Sequence, residues 1–222
     1  MKLSNRSIRG QYWAAIVIVA VLIAAVAWFG LRWDKSTPTE NNTSKSACGV
    51  YCGTERWAVK TLSDEEADCV NFTPKHTTVS WLVAQQRPEH LREQGRSGSI
   101  ECQVWELTAQ LVEFKAENDG DFHIVLADLE KPSVTMIVEF PDLSCAGVCD
   151  SPHRAEIVRA RESFTQVFGL PPKRFQRPTQ PAMVTITGVG FFDFKHGQTG
   201  LAPNGVEIHP VIGFQINNAP RP

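Results

Sequence analysis

The 20 residues from Tyr12 to Leu31 carry no charged side chain and consist mostly of Ala, Val, Ile and Leu. A helix of this length rises about 30 Å, which is the thickness of a bilayer core. Aromatic residues that favour membrane interfaces flank the run: Tyr12, Trp13, Trp28 and Trp33. Basic residues precede it, which predicts a cytoplasmic N-terminus over residues 1–11, a single transmembrane anchor over 12–33 and a periplasmic remainder.

A cleaved signal peptide is the alternative to an anchor in an inner or plasma membrane. Ala25-Val26-Ala27 fits a cleavage site, but the apolar run is long for a signal peptide and continues through that site. Both interpretations place the rest of the chain outside the cytoplasm. The next stretch, Asp34 to Ser46, contains no aliphatic or aromatic residue, so residues 34–47 are predicted to form a flexible linker.

The charge of the chain is unevenly distributed. Residues 1–33 contain four basic residues and no acid, whereas residues 34–222 contain 18 basic and 24 acidic residues, a net charge of −6. Non-specific binding to nucleic acid depends mainly on neutralising phosphates with basic side chains. Nucleic acid is therefore an unlikely partner for the body of this protein.

All six cysteines follow the apolar run: Cys48, Cys52, Cys69, Cys102, Cys145 and Cys149. An even number of cysteines in an exported region indicates disulfides. The two C-x3-C pairs offer the alternative of four zinc ligands, although this spacing is unusual for zinc ribbons. We predict that no cysteine is free, that Cys145 and Cys149 form a local bridge, and that Cys69 pairs with Cys102.

The segment pattern after residue 101 is that of a small barrel. Apolar and polar residues alternate over 103–128 around a turn at 117–121, and a third strand follows at 134–140. A helix is predicted to begin at Pro152 and end before Gly169, and two more strands follow at 183–194 and 206–216. This is the element order of an OB barrel. We predict a mainly β chain whose residues 101–222 form a five-stranded OB-like barrel with one helix between strands three and four, preceded by an extension over 48–100 that packs on it.

Polar residues cluster at two connections of the predicted barrel. Because these two loops flank the usual ligand face of OB barrels, we predict that they form one ligand site. Its candidate residues are Asp119, Asp121, His123, His196, Asn204, Glu207 and His209. Residues two apart on a strand share a face, and imidazole and carboxylate groups are suitable ligands for Zn²⁺ or Mn²⁺. The candidate metal ligands are Asp121, His123, Glu207 and His209.

A structural role is the alternative for the same residues. Asp-Gly and Asn-Gly are ordinary turn formers, and strand histidines often bond backbone carbonyls. Glu139, just before Pro141, is also assigned to a structural role. No nucleophile elbow, P-loop, dinucleotide fingerprint or HExxH helix occurs in the sequence.

Several segments resemble a group of uncharacterised exported bacterial proteins. They are residues 52–61 (CGTERWAVKT), 119–126 (DGDFHIVL), 135–139 (TMIVE) and above all 188–210 (GVGFFDFKHGQTGLAPNGVEIHP). A more distant likeness is to the thermonuclease family of OB barrels, whose Asp-Gly-Asp calcium motif is matched by Asp119 and Asp121. That family also implies a phosphate-binding arginine in the following strands, but residues 131–142 contain none. The resemblance therefore does not imply nuclease activity.

Two functions from different classes remain open after the sequence. The first is a membrane-anchored extracytoplasmic binding module of the cell envelope, with a ligand or protein partner that the sequence does not identify. The second is a metal-dependent hydrolase, such as a phosphodiesterase, in which the Asp/His/Glu cluster activates water.

Overall fold

The computed structural model describes residues 48–49, 52–53 and 55–217, all within one compact unit. Its strands are β1 (Asn71–Thr77), β2 (Gln103–Ala116), β3 (Phe122–Ala127), β4 (Thr135–Phe140), β5 (Ala182–Phe192) and β6 (Val206–Asn217). Its helices are α1 (Trp57–Lys60), α2 (Val79–Val83), α3 (Ala146–Asp150) and α4 (Arg154–Phe168). Among these residues, no helix has the length and apolar character needed to cross a membrane. The predicted anchor over 12–33 and linker over 34–47 lie outside the described residues.

The five strands β2 to β6 form a closed barrel. They follow the order β2-β3-β4-β6-β5, and β5 pairs again with β2 to close it. The pairs are antiparallel except β4 with β6, which is parallel. A register shift between Leu111 and Glu113 bends the long strand β2, so that one end pairs with β5 and the other with β3. The mainly β fold and the five-stranded barrel predicted from the sequence are confirmed.

The interior of the barrel is apolar and is sealed by α4. Alternate residues of each strand point inward, among them Ile124, Val138 and Ile208, which are fully buried. Phe164 of α4 packs against these strands at ring-centroid distances of 5.3–5.4 Å from Phe114, Phe140 and Phe214. The helix lies between β4 and β5, where the sequence places it.

The region before the barrel packs on its outer surface and adds the sixth strand, β1, parallel to β2. A buried ion pair fixes it in place: both guanidinium nitrogens of Arg56 donate to the carboxylate of Glu101, at 2.8 and 2.7 Å. Arg56 also donates to the carbonyl of Phe192 at the end of β5, and Glu101 accepts from the Phe192 amide. The pair therefore joins α1 to the end of a barrel strand.

Three disulfides connect the six cysteines. Cys69 pairs with Cys102, as predicted. The predicted local bridge between Cys145 and Cys149 is wrong, because Cys48 pairs with Cys149 and Cys52 with Cys145. The reason is geometric. Cys145 and Cys149 stand one helical turn apart on α3 and its cap, so their side chains point the same way, while Gly49 runs parallel beside Cys145 and presents the partner cysteines.

Non-reducing peptide mapping tests this pairing directly. Digestion without reduction is expected to release peptides that link Cys48 to Cys149, Cys52 to Cys145 and Cys69 to Cys102. Removing the last of these with a Cys69→Ser/Cys102→Ser variant should lower the free energy of unfolding by about 3–4 kcal/mol on the chain-entropy estimate. A peptide containing a Cys145–Cys149 bridge, or any thiol alkylated before reduction, would contradict the pairing.

Candidate functional site

Three ionisable side chains lie side by side on the outer face of the barrel. His123 on β3 is directly opposite Glu139 on β4. The parallel pairing of Ile137 with Glu207 continues along the two strands and brings Glu139 beside His209 on β6. Since the neighbouring residues of each strand point into the apolar interior, these three side chains point outward together.

Glu139 joins the two histidines. Its Oε1 lies 3.0 Å from Nδ1 of His123, and its Oε2 lies 3.2 Å from Nδ1 of His209. Asp121, in the turn before β3, places its Oδ2 3.5 Å from Nε2 of His209. We refer to Asp121, His123, Glu139 and His209 as the acid–histidine cluster.

His123 has acceptors on both sides of its ring. Its Nε2 lies 3.0 Å from the carbonyl oxygen of Thr199, which can only accept, and its Nδ1 faces the Glu139 carboxylate. Burial lowers the pKa of His123, but the hydrogen bond and charge of Glu139 outweigh it, so the pKa lies above its ordinary value. Both ring nitrogens therefore donate, and neither has a lone pair to offer to a metal ion.

His209 is in the opposite situation. Its side chain is completely buried. Its ring nitrogens are close to two carboxylates, but within the described part of the chain neither nitrogen has a partner at hydrogen-bond geometry. Buried polar groups are almost always satisfied, so an imidazole in this state marks a place where a further species can bind.

The carboxylates of the cluster differ in their protonation. Burial raises the pKa of Asp121 to about 7, the nearby His209 opposes this rise, and Glu139 adds to it. Burial also acts to raise the pKa of Glu139, but the hydrogen bond from His123 and the charges of the nearby His209 and Lys60 hold it well below its usual range. At neutral pH Glu139 is therefore ionised, whereas the protonated and ionised forms of Asp121 are both present.

Two further charged residues border the cluster. Burial raises the pKa of Glu207 well above its ordinary value, and Glu139 and Asp193 add to this effect. The ammonium group of Lys60 lies 3.4 Å from Asp193 Oδ2. Burial alone would lower the pKa of Lys60, but the surrounding carboxylates raise it, so Lys60 remains a cation beside the cluster.

The structure brings together only part of the residue set predicted from the sequence. Asp121, His123 and His209 meet, and Glu207 lies two residues from His209 on the same strand. The carboxylate of Asp119 accepts from the Asp121 amide at 3.2 Å, which orders the turn before β3.

His196 and Asn204 lie away from the cluster. His196 is half exposed, its Nε2 lies 3.1 Å from Glu55 Oε2, and it lines an open cleft of about 880 Å³ beside α1. The Asn204 side-chain amide donates to the carbonyls of Leu82 and Gln85, both at 3.0 Å. Asn204 thus ties the β5–β6 connection to α2.

Sequence reasoning missed Glu139, Lys60 and Asp193 as members of this region. A signal for Glu139 was present, because a hairpin centred on the turn at 128–134 pairs residue 123 with residue 139. No comparable signal existed for Lys60, since it reaches the barrel from the extension, 133 residues before Asp193.

The ligand atoms of Asp121, Glu139 and His209 all lie within 4.8 Å of one another. Two carboxylates and one imidazole form a donor set suited to Zn²⁺ or Mn²⁺. Comparison of the chain with protein-family models, with curated proteins and with solved structures finds no match. The functional proposal consequently rests on the geometry of the site.

The protonation state of His123 can be measured by NMR titration of the imidazole ring. In the wild type, His123 is expected to titrate above its ordinary value near 6.5, and Glu139→Gln should lower its pKa because the ionic acceptor is lost. Because the pKa of His123 is higher in the folded state than in the unfolded state, its protonation stabilises the fold. This stabilisation is complete at pH values below the unfolded-state pKa and is lost as the pH rises through the folded-state pKa.

Glu117→Gln provides the matched control. Glu117 Oε1 lies farther from His123 Nδ1, at 3.4 Å, so this substitution should lower the His123 pKa less. An unchanged His123 pKa in Glu139→Gln would refute the charged pair.

Proposed function

We propose that this chain is a membrane-tethered, extracytoplasmic OB-like barrel that binds a divalent metal ion between Asp121, Glu139 and His209. The observation that carries the proposal is the buried His209 ring, which has two nitrogens within 3.2–3.5 Å of carboxylate oxygens but no hydrogen bond to either. A cation between these groups would use a ring lone pair and both negative charges.

The spacing of the ligand atoms supports an ion of ordinary size. Zinc binds imidazole nitrogen and carboxylate oxygen at roughly 2.0–2.2 Å, so neighbouring ligand atoms in such a site stand roughly 3–3.5 Å apart. The His209 nitrogens already lie at such distances from Asp121 and Glu139. The two carboxylates face different ring nitrogens of His209, so one of them has to reorient for all three groups to bind one ion.

The ligand set differs from the one that the sequence suggests. His123 is engaged by Glu139 and Thr199, and burial raises the pKa of Glu207 well above its ordinary value, so we propose Glu139 as the third ligand in place of both. His123 then acts on the ligand Glu139, because its hydrogen bond fixes one carboxylate oxygen and leaves the other free. Such supporting hydrogen bonds typically orient metal ligands.

The two carboxylates of the site reach solvent, whereas the imidazole does not. The side chains of Asp121 and Glu139 are 14% and 12% exposed, whereas that of His209 is fully buried. An ion can enter past the two carboxylates, and its outward side remains available to water.

That outward side favours a metal-dependent hydrolase as the second candidate function, since metal-bound water is a strong nucleophile at neutral pH. Hydrolysis of bis(p-nitrophenyl) phosphate by the metal-loaded chain would support this candidate, and loss of that activity in Asp121→Asn would assign it to the site.

The barrel architecture and the sequence outside the described residues support the rest of the proposal. The strand order, the helix between β4 and β5 and the two loops beside the cluster fit an OB-like arrangement, whose ligand face lies between these loops. Three disulfides fit an oxidising compartment. The apolar run before residue 34 supplies the tether.

Calorimetric titration of Zn²⁺ and Mn²⁺ into the purified chain tests the metal site. We expect one ion to bind per chain. The variant Asp121→Asn keeps the side-chain shape and the hydrogen bond from the Asp142 amide. Loss of a residue that only supports a metal ligand typically weakens binding roughly 10–100-fold. Because Asp121 is proposed as a ligand itself, Asp121→Asn should weaken binding by more than this.

The control is His196→Ala, which removes an imidazole from the neighbouring cleft and should leave the affinity unchanged. Affinity should also fall as the pH drops below about 7, since Asp121 gains a proton that the ion must displace. Absence of binding by the wild type, or equal binding by Asp121→Asn, would overturn the proposed site.

The tether and the compartment are tested by a fusion of alkaline phosphatase to the C-terminus. The fusion is expected to be active, because the barrel lies outside the cytoplasm, and a carbonate wash should leave the protein in the membrane. An inactive fusion would refute export, and release by carbonate would indicate cleavage after Ala27.

A further inference from the structure

One stretch of the chain departs from the acidic composition of the body. The 30 residues from 163 to 192 contain no Asp or Glu, although residues 34–222 carry a net charge of −6. Three basic residues lie close together in this stretch, after the end of α4: Lys173, Arg174 and Arg177. We refer to residues 169–177 as the basic loop.

The backbone of the basic loop is fixed to β2. Phe114 and Gln176 exchange two backbone hydrogen bonds of 2.9 Å, and the Ala116 amide donates to the Pro172 carbonyl at 2.8 Å. Phe175 turns inward, with its ring 5.5 Å from that of His123. The three basic side chains are exposed. Lys173 also donates to the Glu117 carbonyl, and Arg177 Nε lies 3.9 Å from the Glu113 carboxylate, so Arg174 is the one of the three that has no such contact within the described part of the chain.

Exposed apolar side chains accompany this charge. Leu170 is 78% exposed, the highest value among the exposed large hydrophobic residues of the described chain. Val167 at the end of α4 and Ile216 on β6 are also exposed. Basic groups beside exposed apolar side chains are the combination with which peripheral surfaces bind anionic lipid bilayers.

We propose that the basic loop, with Leu170 and Val167, is a docking surface for anionic phospholipids of the membrane to which the chain is tethered. The proposal rests on the tether in the proposed function. The predicted linker has 14 residues and spans at most about 50 Å, which would limit the distance between the barrel and a bilayer that holds the anchor. Lipid phosphates complement the basic side chains, and Leu170 enters the boundary between headgroups and acyl chains.

Lysine footprinting of the full chain in nanodiscs tests this proposal. The acetylation rate of Lys173 is compared in phosphatidylcholine discs and in discs that also contain phosphatidylglycerol. We expect the anionic discs to slow Lys173 about fivefold or more, and 0.5 M salt to reverse the effect. Lys75 and Lys131 are exposed lysines elsewhere in the chain and serve as internal controls whose rates should not change.

Charge reversal links the effect to the basic loop. Arg174→Glu/Arg177→Glu should restore the fast acetylation of Lys173 in anionic discs, whereas Lys131→Glu should not. Equal Lys173 rates in both kinds of disc would overturn the docking surface. Equal protection by poly-glutamate in phosphatidylcholine discs would also overturn it and assign the surface to an acidic protein.

The tether and the docking surface can fail separately. A chain that remains in the discs with Lys173 fully reactive has a tether but no lipid-docking surface. A chain that does not remain in either disc has no tether, and co-sedimentation with phosphatidylglycerol vesicles at low salt then decides the docking surface alone. If the wild type co-sediments and Arg174→Glu/Arg177→Glu does not, the docking surface is supported. If the wild type does not co-sediment, the docking surface is refuted.

Discussion

The carboxylate of Glu139 lies between two histidines from neighbouring strands, and the arrangement of the outer barrel face depends on it. Without this negative charge, the buried ring of His123 would keep only the Thr199 carbonyl and the more distant carboxylate of Glu117 as acceptors, and a poorly paired buried charge is costly. With it, His123 holds Thr199 and thus the β5–β6 connection over the face. The second oxygen of Glu139 faces His209, whose ring also has the Asp121 carboxylate beside it.

The extension makes this face different from the open surface of a simple barrel. The Arg56–Glu101 pair fixes α1 at the end of β5, and α1 carries Lys60 to the edge of the cluster. Lys60 partly balances the carboxylates of Glu139, Glu207 and Asp193. The balance is incomplete, because burial still raises the pKa of Asp121 to about 7 and that of Glu207 well above its ordinary value. A bound divalent cation would complete the balance of charge. The shortage of positive charge beside these carboxylates underlies the proposed metal site.

The sequence predicted those features that depend on local pattern. Alternation and turn residues were enough for the barrel strands, and helical spacing of Ile157, Ala160 and Phe164 was enough for α4. Cys69 and Cys102 were paired correctly, but the other bridges join cysteines 93 and 101 residues apart. Their pairing depends on the contact of Gly49 with Cys145, which no local pattern encodes.

The candidate site was predictable in part for the same reason. Asp121, His123 and His209 were found because the two loops of such a barrel approach each other. Glu139 was assigned a structural role, although the hairpin register places it opposite His123. Its importance comes from a third strand, β6, which lies next to β4 in space but about 70 residues later in the chain. Lys60 arrives from outside the barrel and had no sequence signal.

Anomalous diffraction from crystals of the chain soaked in Mn²⁺ tests the central claim most directly. The account predicts a single strong peak about 2.0–2.3 Å from one oxygen of Asp121, one oxygen of Glu139 and one ring nitrogen of His209. His123 should remain hydrogen-bonded to Glu139 and Thr199 in the same crystals. A peak bound by His123 or Glu207, or no peak in the cluster at saturating Mn²⁺, would contradict the account.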